Sequence, residues 1–241
     1  MRKVISCIPS LITMSVSACA YLGIVWATQE LWKRSMFILT LGAILDGVDG
    51  LAARKLKAES KIGMELDSLS DFVCFGCASS FLMYEWSLKK LVIGGVPVGL
   101  VVAIIFCLCV LYRLARFNSE TNTELSSPHY FTGIPSPGGA GLMLLPLILS
   151  FVLGDRVLRE PWFTAPYTIL IGGLIVSRLP TITLKKIPKK LFCAITAVFV
   201  ALWACFGIWM MLGVAGIIYL LTIPVFIVYA KLKYPPTNST D

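Results

Sequence analysis

The chain has 241 residues, of which 57% are hydrophobic and 14% charged, and its mean hydropathy is +0.84. These values lie outside the range of soluble domains and predict one integral membrane domain over residues 1–241, with no separate soluble domain. The formal charge of +8 does not indicate a nucleic-acid partner, because basic loops beside anionic lipid account for it in a membrane protein.

Apolar stretches that can form bilayer-crossing helices, which need about 20 residues, cover most of the chain. They are residues 8–28, 35–53, 63–86, 91–112, 137–153, 162–178, 191–207 and 210–230. With these eight helices, fifteen of the 21 Lys and Arg residues lie on the side of the N-terminus and six on the other. The positive-inside rule then predicts an all-α integral membrane protein of about eight transmembrane helices, with both termini in the cytoplasm.

Four aspartates lie at the edges of apolar segments, namely Asp46, Asp49, Asp67 and Asp71. The first two are three residues apart and the last two are four apart, so each pair shares a helix face. Two facing helices would bring four mutually repelling carboxylates together, and hard divalent cations relieve such repulsion. The alternative is that each aspartate is a helix-end charge favoured by the helix dipole. Four such charges near membrane depth favour the metal site.

Small and basic residues separate the two aspartate pairs. The small residues, which let a ligand approach the backbone closely, are Gly50, Ala53 and Gly63. The basic residues are Arg54, Lys55, Lys57 and Lys61. This composition beside clustered carboxylates predicts a site for metal ions and phosphate.

The segment YRLARFN, residues 112–118, places Arg113 and Arg116 three apart on one face at the end of the fourth helix. Arginines at a helix end often only extend their charge to the membrane surface. Here both lie on the same predicted membrane side as the aspartates, so we expect them to bind phosphate or carboxylate.

The remaining polar stretches and the cysteines predict no further chemistry. We interpret His129, in the loop 119–136, as a solvated residue, and the basic linker 178–190 as a contact with anionic lipid headgroups. The eight cysteines lie almost entirely in apolar segments without neighbouring histidines, so we interpret them as small buried hydrophobic residues.

The pattern Asp46-x2-Asp49-Gly50-x2-Ala53-Arg54-x8-Gly63-x3-Asp67-x3-Asp71 resembles the complete signature of the CDP-alcohol phosphotransferase family. Within that family, DSLSDFVCFG, YRLARFN, FTGIPSPGG and SRLPTITLKK are most similar to the membrane-embedded phosphatidylserine synthases of bacteria and archaea. The resemblance covers a core of residues 8–186 and leaves 191–230 as an additional C-terminal helix pair. Two positions depart from it: Ser10 stands where asparagine is common, and CASS after Gly76 lacks the usual proline.

The resemblance implies transfer of a phosphatidyl group from CDP-diacylglycerol to L-serine, with release of CMP. The distribution of Lys and Arg predicts that this site lies at the cytoplasmic boundary of the cell membrane. The resemblance also implies that two divalent cations, Mg²⁺ or Mn²⁺, are held by Asp46, Asp49 and Asp67, with Asp71 touching the second cation and acting as general base. It assigns nucleotide and phosphate contacts to Gly50, Ala53, Arg54, Lys61 and Gly63. It leaves Arg113 and Arg116 for the diphosphate or the serine carboxylate, and implies a homodimer.

Two other functions remain open. A sister enzyme of the family would use glycerol 3-phosphate or an inositol phosphate as the acceptor. A cation-coupled transporter could also carry membrane aspartates, although the sequence has no internal repeat and these aspartates lie near helix ends rather than at mid-membrane.

Overall fold

The computed structural model describes residues 2–56, 61–121, 131–132, 134–177, 180–181 and 206–233. Nine α-helices lie within these ranges. They are α1 (Arg2–Thr28), α2 (Trp32–Leu56), α3 (Lys61–Asp71), α4 (Ser79–Trp86), α5 (Val98–Thr121), α6 (Ser136–Met143), α7 (Leu145–Leu153), α8 (Pro161–Val176) and α9 (Ile208–Lys233). A π-helical segment (Phe72–Ala78) joins α3 to α4, and a 3₁₀ turn (Leu88–Lys90) follows α4.

Four helical spans in the described residues are long and apolar enough to cross a membrane. They are Pro9–Thr28, Ile62–Trp86, Val98–Ser119 and Ile208–Val225, and the bent pair α6 and α7 would be a fifth. Helix α8 is apolar but shorter. The described residues are therefore almost entirely helical, with apolar spans that are typical of an integral membrane protein. The predicted helix 191–207 lies almost wholly outside the described residues, and a total of eight spans stays a prediction.

The third predicted helix, 63–86, forms as one span that changes its winding in the middle. After Asp71 the backbone adopts π-helical geometry for seven residues and then returns to α-helix at Ser79. Within the π segment Cys74, Phe75, Gly76 and Ala78 are buried. Such π turns are often found at functional sites in helices, and this one begins at the fourth aspartate.

The fifth predicted helix, 137–153, forms with a bend of 43° between α6 and α7. Pro146 lies in the first turn of α7, where its missing N–H and its ring oppose a continuous helix and separate it from the Leu142 carbonyl. The Tyr167 hydroxyl of α8 donates to this carbonyl at 2.7 Å. The Leu142 carbonyl, which Pro146 deprives of its usual partner within the helix, is thus hydrogen-bonded by the neighbouring α8.

The predicted bounds of the fourth helix, 91–112, are wrong at both ends. Residues 91–97 form a tight turn instead, because Gly94 and Gly95 adopt positive φ and Ile93 pairs with Val96. The helix begins after Pro97 and continues to Thr121, nine residues beyond the prediction. In its last two turns Arg116 contacts Val176 of α8 and Asn118 contacts Ser68 of α3.

The packing brings the end of α2, the start of α3, the end of α5 and the start of α6 to one end of the bundle. Asn118 of α5 contacts Ser68 of α3, and its side-chain amide donates to the Ser68 hydroxyl at 2.9 Å. The two-residue strands β1 (Phe131–Thr132) and β2 (Pro180–Thr181) pair antiparallel and tie the segment before α6 to the segment after α8. All four aspartates and both arginines of interest lie at this end.

Candidate active site

Three aspartates converge where α2 faces α3. One carboxylate oxygen of each of Asp46, Asp49 and Asp67 lies within 4.8 Å of the others. Asp49 is only 3% exposed, whereas Asp46 and Asp67 are half-buried. The spacing of three residues on α2 turns both of its carboxylates towards α3. The structure therefore assembles three of the four predicted carboxylates into a single cluster.

The fourth aspartate lies beside this cluster rather than within it. Asp71 is the last residue of α3, directly before the π segment, and its carboxyl lies close enough to that of Asp46 for the two groups to interact. It is also close enough to Arg113 for the two charges to interact. Asp71 thus connects the three-carboxylate cluster with the arginine of α5.

The cluster has the chemistry that a hard divalent cation requires. Among the described residues, Asp49 Oδ1 and Asp71 Oδ1 are buried without a hydrogen-bond partner. A buried carboxylate oxygen without a partner is costly, and a cation is one of the ligands that removes this cost. Carboxylate oxygens are also the donors that Mg²⁺ and Mn²⁺ prefer. The residues present therefore fit a divalent metal site.

Thr13 of α1 contacts the carboxylate cluster at Asp49. This residue was not predicted from the sequence. Its hydroxyl lies 2.6 Å from Asp49 Oδ2, and its side chain is buried. Ser70 of α3 donates to the Thr13 carbonyl at 3.1 Å. The motif IPSLIT contains Thr13, and a hydroxyl three residues after Ser10 was the available signal.

Arg113 is buried at the end of α5, with 8% of its surface exposed. Its Nη1 donates a hydrogen bond to Ser136 at the start of α6. Its Nε is buried and has no hydrogen-bond partner among the described residues. Tyr219 of α9 lies close enough to interact with the same guanidinium. Arg113 therefore offers a charged, unused donor beside Asp71.

Arg116 has a different environment, although it is only one turn further along α5. Its Nη1 donates to the Val176 carbonyl, the last residue of α8, at 2.8 Å. Its guanidinium also lies 6.0 Å from the centre of the Tyr112 ring. These contacts anchor α5 to the end of α8. The sequence predicted the same role for both arginines, whereas in the structure Arg113 contacts α6 and Arg116 contacts α8.

The predicted nucleotide-binding residues lie between the aspartate pairs, as their sequence positions require. Gly50 is exposed next to Asp49, and a Cβ at its position would meet no atom within 4 Å. Gly63 is half-buried in the first turn of α3. Ala53 and Arg54 lie in the last turn of α2 and Lys61 begins α3, but their side chains lie outside the described part of the structure.

An apolar cavity of about 290 Å³ has wall residues one helical turn from Asp46 and from Asp71. Ala43, one helical turn before Asp46, lines it, and so does Cys74, one turn after Asp71. On the other side the wall comes from Gly138 and Gly141 of α6 and from Tyr219 of α9. The cavity thus lies between α2, the π segment, α6 and α9, near the aspartates in the fold, although none of the aspartates lines it.

Comparison with known proteins gives a consistent set of relatives. The profile of the CDP-alcohol phosphatidyltransferase family matches residues 6–228. The CDP-diacylglycerol–serine O-phosphatidyltransferase of Helicobacter pylori strain J99 is 33% identical over 232 residues, which are 90% of this chain and 94% of that protein. A protein of the same name from Methanocaldococcus jannaschii is 32% identical over 217 residues, 88% of this chain and 90% of its own length.

A third relative with this name, from Mycobacterium tuberculosis strain H37Rv, is 37% identical over 177 residues. These residues are 72% of this chain and 60% of the mycobacterial protein. The match therefore spans less than two thirds of the mycobacterial protein but nearly all of the H. pylori protein.

Proposed function

Because this chain belongs to the CDP-alcohol phosphatidyltransferase family, we propose that it transfers the phosphatidyl group of CDP-diacylglycerol to L-serine and releases CMP. The observation that carries this proposal is the cluster of Asp46, Asp49 and Asp67 beside Asp71, one helical turn from the wall of an apolar cavity. The names of the relatives from H. pylori and M. jannaschii support serine as the acceptor. A sister acceptor such as glycerol 3-phosphate is the outcome that would overturn this choice.

In this proposal Asp46, Asp49 and Asp67 hold the divalent cations, Mg²⁺ or Mn²⁺, with Asp71 available to the second. When bound, the cations neutralise the diphosphate and stabilise the negative charge of the leaving CMP. The chain itself contributes the arrangement of these carboxylates, of which Asp49 is buried. Asp49 is fixed by Thr13, and both helices of the cluster pack against α1.

Asp71 takes the proton of the incoming hydroxyl in this mechanism. The serine oxygen forms a bond to the lipid-side phosphorus, the phosphorus–oxygen bond to CMP breaks, and the hydroxyl proton passes to Asp71. Asp71 is suited to this role because its Oδ1 is buried without a partner among the described residues, at the edge of the carboxylate cluster. The neighbouring Arg113 would hold an anionic group of either substrate there.

Binding of the lipid nucleotide requires two different environments. Gly50, Ala53, Arg54, Lys61 and Gly63 surround the aspartates in sequence and would contact the nucleotide and its phosphates. We assign the apolar cavity between α2, α6 and α9 to the acyl part of CDP-diacylglycerol, because its wall is almost entirely hydrophobic and it begins one turn from Asp46. The substrate would then join the two environments at its diphosphate.

The orientation in the membrane and the assembly belong to the same proposal. The excess of Lys and Arg on the side of the N-terminus supports an active site that faces the cytoplasm. CDP-diacylglycerol would enter from the bilayer and serine from the cytoplasm. The family resemblance supports a homodimer, which cross-linking in native membranes would test.

The experiment that tests this function is an acceptor screen. Purified protein in detergent is incubated with CDP-diacylglycerol and Mn²⁺ or Mg²⁺, and CMP release is measured with serine, glycerol 3-phosphate or inositol phosphate. We expect release with serine alone, and none from the Asp71→Asn variant. CMP release with another acceptor but not with serine would contradict the serine assignment. CMP release with none of the acceptors would contradict the proposed transferase activity.

A further inference from the structure

We propose that Thr13 is a positioning residue for the metal site. Its hydroxyl lies 2.6 Å from Asp49 Oδ2, and this contact fixes the orientation in which Asp49 presents its other oxygen to a divalent cation. Thr13 is 5% exposed and Asp49 3%, so water does not compete for the contact. The inference rests on the proposed function of the aspartate cluster as a cation site.

The Thr13 hydroxyl has two acceptors within reach. It lies 3.0 Å from the Pro9 carbonyl, one turn earlier on α1, as threonines in helices commonly do. It has a single proton, and the contact to Asp49 is shorter by a clear margin. The distance of 2.6 Å falls in the range of hydroxyl donors to ionised carboxylates, which are about twice as strong as neutral hydrogen bonds. The proton therefore goes to Asp49.

This hydrogen bond divides the two oxygens of Asp49 between different tasks. Oδ2 is occupied by Thr13, whereas Oδ1 is buried and has no partner in the described part of the chain. A carboxylate held at one oxygen cannot rotate freely, so the other oxygen keeps its direction before a cation arrives. Partners that orient metal ligands in this way typically contribute about 10- to 100-fold in metal affinity.

Two further hydroxyls attach the part of α1 around Thr13 to α3. Ser70 of α3 donates its one proton to the Thr13 carbonyl at 3.1 Å. The Ser17 hydroxyl, 3.0 Å from Ser70 Oγ, must then donate to Ser70. Ser70 directly precedes Asp71, so α1 is attached to α3 beside the fourth aspartate. Thr13, which orients Asp49 of α2, is thus also attached to α3, the helix of Asp67 and Asp71.

The test measures binding of Mn²⁺ alone to the purified full chain in detergent, by electron paramagnetic resonance of free Mn²⁺. Thr13→Val keeps the size of the side chain and removes the hydroxyl, and Thr13→Ser restores the hydroxyl. Ser15→Ala is the matched control, because Ser15 lies on the same helix, is exposed, and donates to the Leu11 carbonyl of its own helix at 2.9 Å.

We expect Thr13→Val to raise the dissociation constant for Mn²⁺ about 10- to 100-fold. We expect Thr13→Ser to recover most of this loss and Ser15→Ala to match the wild type. An unchanged Mn²⁺ affinity in a folded Thr13→Val protein would overturn the positioning role. If Thr13→Val does not fold, Ser70→Ala takes its place: weaker Mn²⁺ binding supports the inference, and unchanged binding overturns it. Failure of the wild-type protein to bind Mn²⁺ would instead contradict the metal site itself.

Discussion

The two arginines of YRLARFN provide a matched pair of substitutions, Arg113→Lys and Arg116→Lys. Both changes keep the positive charge and remove the planar fork of the guanidinium. Arg113 is buried, bonds Ser136 and retains an Nε without a partner among the described residues. Arg116 already donates to the Val176 carbonyl. We therefore expect Arg113→Lys to damage catalysis and Arg116→Lys to affect mainly the stability of the fold.

The magnitudes follow from the number and kind of hydrogen bonds lost. If Arg113 Nε donates to a phosphate or carboxylate of a substrate, its loss costs about 1.5–3 kcal/mol, because a charged partner is involved. This corresponds to a decrease in kcat/KM of about 10- to 150-fold. The Arg116 contact is an ordinary bond to a backbone carbonyl, so its loss should lower the free energy of unfolding by about 1 kcal/mol. We expect kcat/KM to change less than threefold in that variant.

The assay measures CMP release while serine and CDP-diacylglycerol are varied in turn, together with thermal unfolding of each variant. A higher KM for serine in Arg113→Lys would indicate contact with the serine carboxylate, and a higher KM for CDP-diacylglycerol would indicate contact with the diphosphate. Equal losses of kcat/KM in the two variants would refute the distinction between them. So would an Arg113→Lys variant that loses stability but keeps wild-type kinetics.

Four further predictions concern the base, the metal, the cavity and the packing. Asp71→Asn should abolish turnover but retain CDP-diacylglycerol binding, measured by calorimetry; normal turnover would exclude Asp71 as the base. Chelation with EDTA should stop CMP release, and added Mn²⁺ or Mg²⁺ should restore it; activity that survives chelation would contradict a metal role. Gly141→Leu places a large side chain in the cavity and should raise the KM for long-chain CDP-diacylglycerol roughly tenfold, because crowding of the new side chain against the acyl chain costs about 1–3 kcal/mol. Mn²⁺ binding should not change in this variant. Its control, Gly173→Leu on α8, has no atom within 4 Å of its Cβ and lies outside the cavity wall, so an equal effect there would contradict the cavity assignment. Gly99→Ala places a Cβ against the Leu88 carbonyl and should lower the unfolding free energy by about 1–3 kcal/mol in thermal melts, and an unchanged melting temperature would contradict this packing.

The carboxylate cluster could be predicted from sequence because helical periodicity puts each aspartate pair on one helix face, and a shared metal site is the chemistry that brings two such faces together. Asp46 and Asp49 share a face of α2, and Asp67 lies on a helix that faces it, so three oxygens meet within 4.8 Å. Asp71 lies one turn after Asp67 on α3, outside the group whose oxygens lie within 4.8 Å of one another. A shared helix face does not show how closely each carboxylate approaches the others, so the spacing predicted one cluster of all four aspartates.

The partners of the cluster depend on packing between helices far apart in the sequence. Thr13 reaches Asp49 across 36 residues, and Arg113 reaches Ser136 across 23 residues. Periodicity shows which side of one helix a residue occupies, but not which helix it faces. The different roles of Arg113 and Arg116 arise in this way, since only the packing of α6 and α8 distinguishes them. The early start predicted for the fourth helix has a local cause, the turn at Gly94 and Gly95.

The most direct test of the central claim follows the oxygen atom of the serine hydroxyl. L-serine labelled with ¹⁸O in its side chain is incubated with the purified protein, CDP-diacylglycerol and Mn²⁺, and the products are analysed by mass spectrometry. Attack by the serine oxygen on the lipid-side phosphorus predicts that the label remains in phosphatidylserine and that CMP contains none. Unlabelled phosphatidylserine, labelled CMP, or no phosphatidylserine at all would contradict the account.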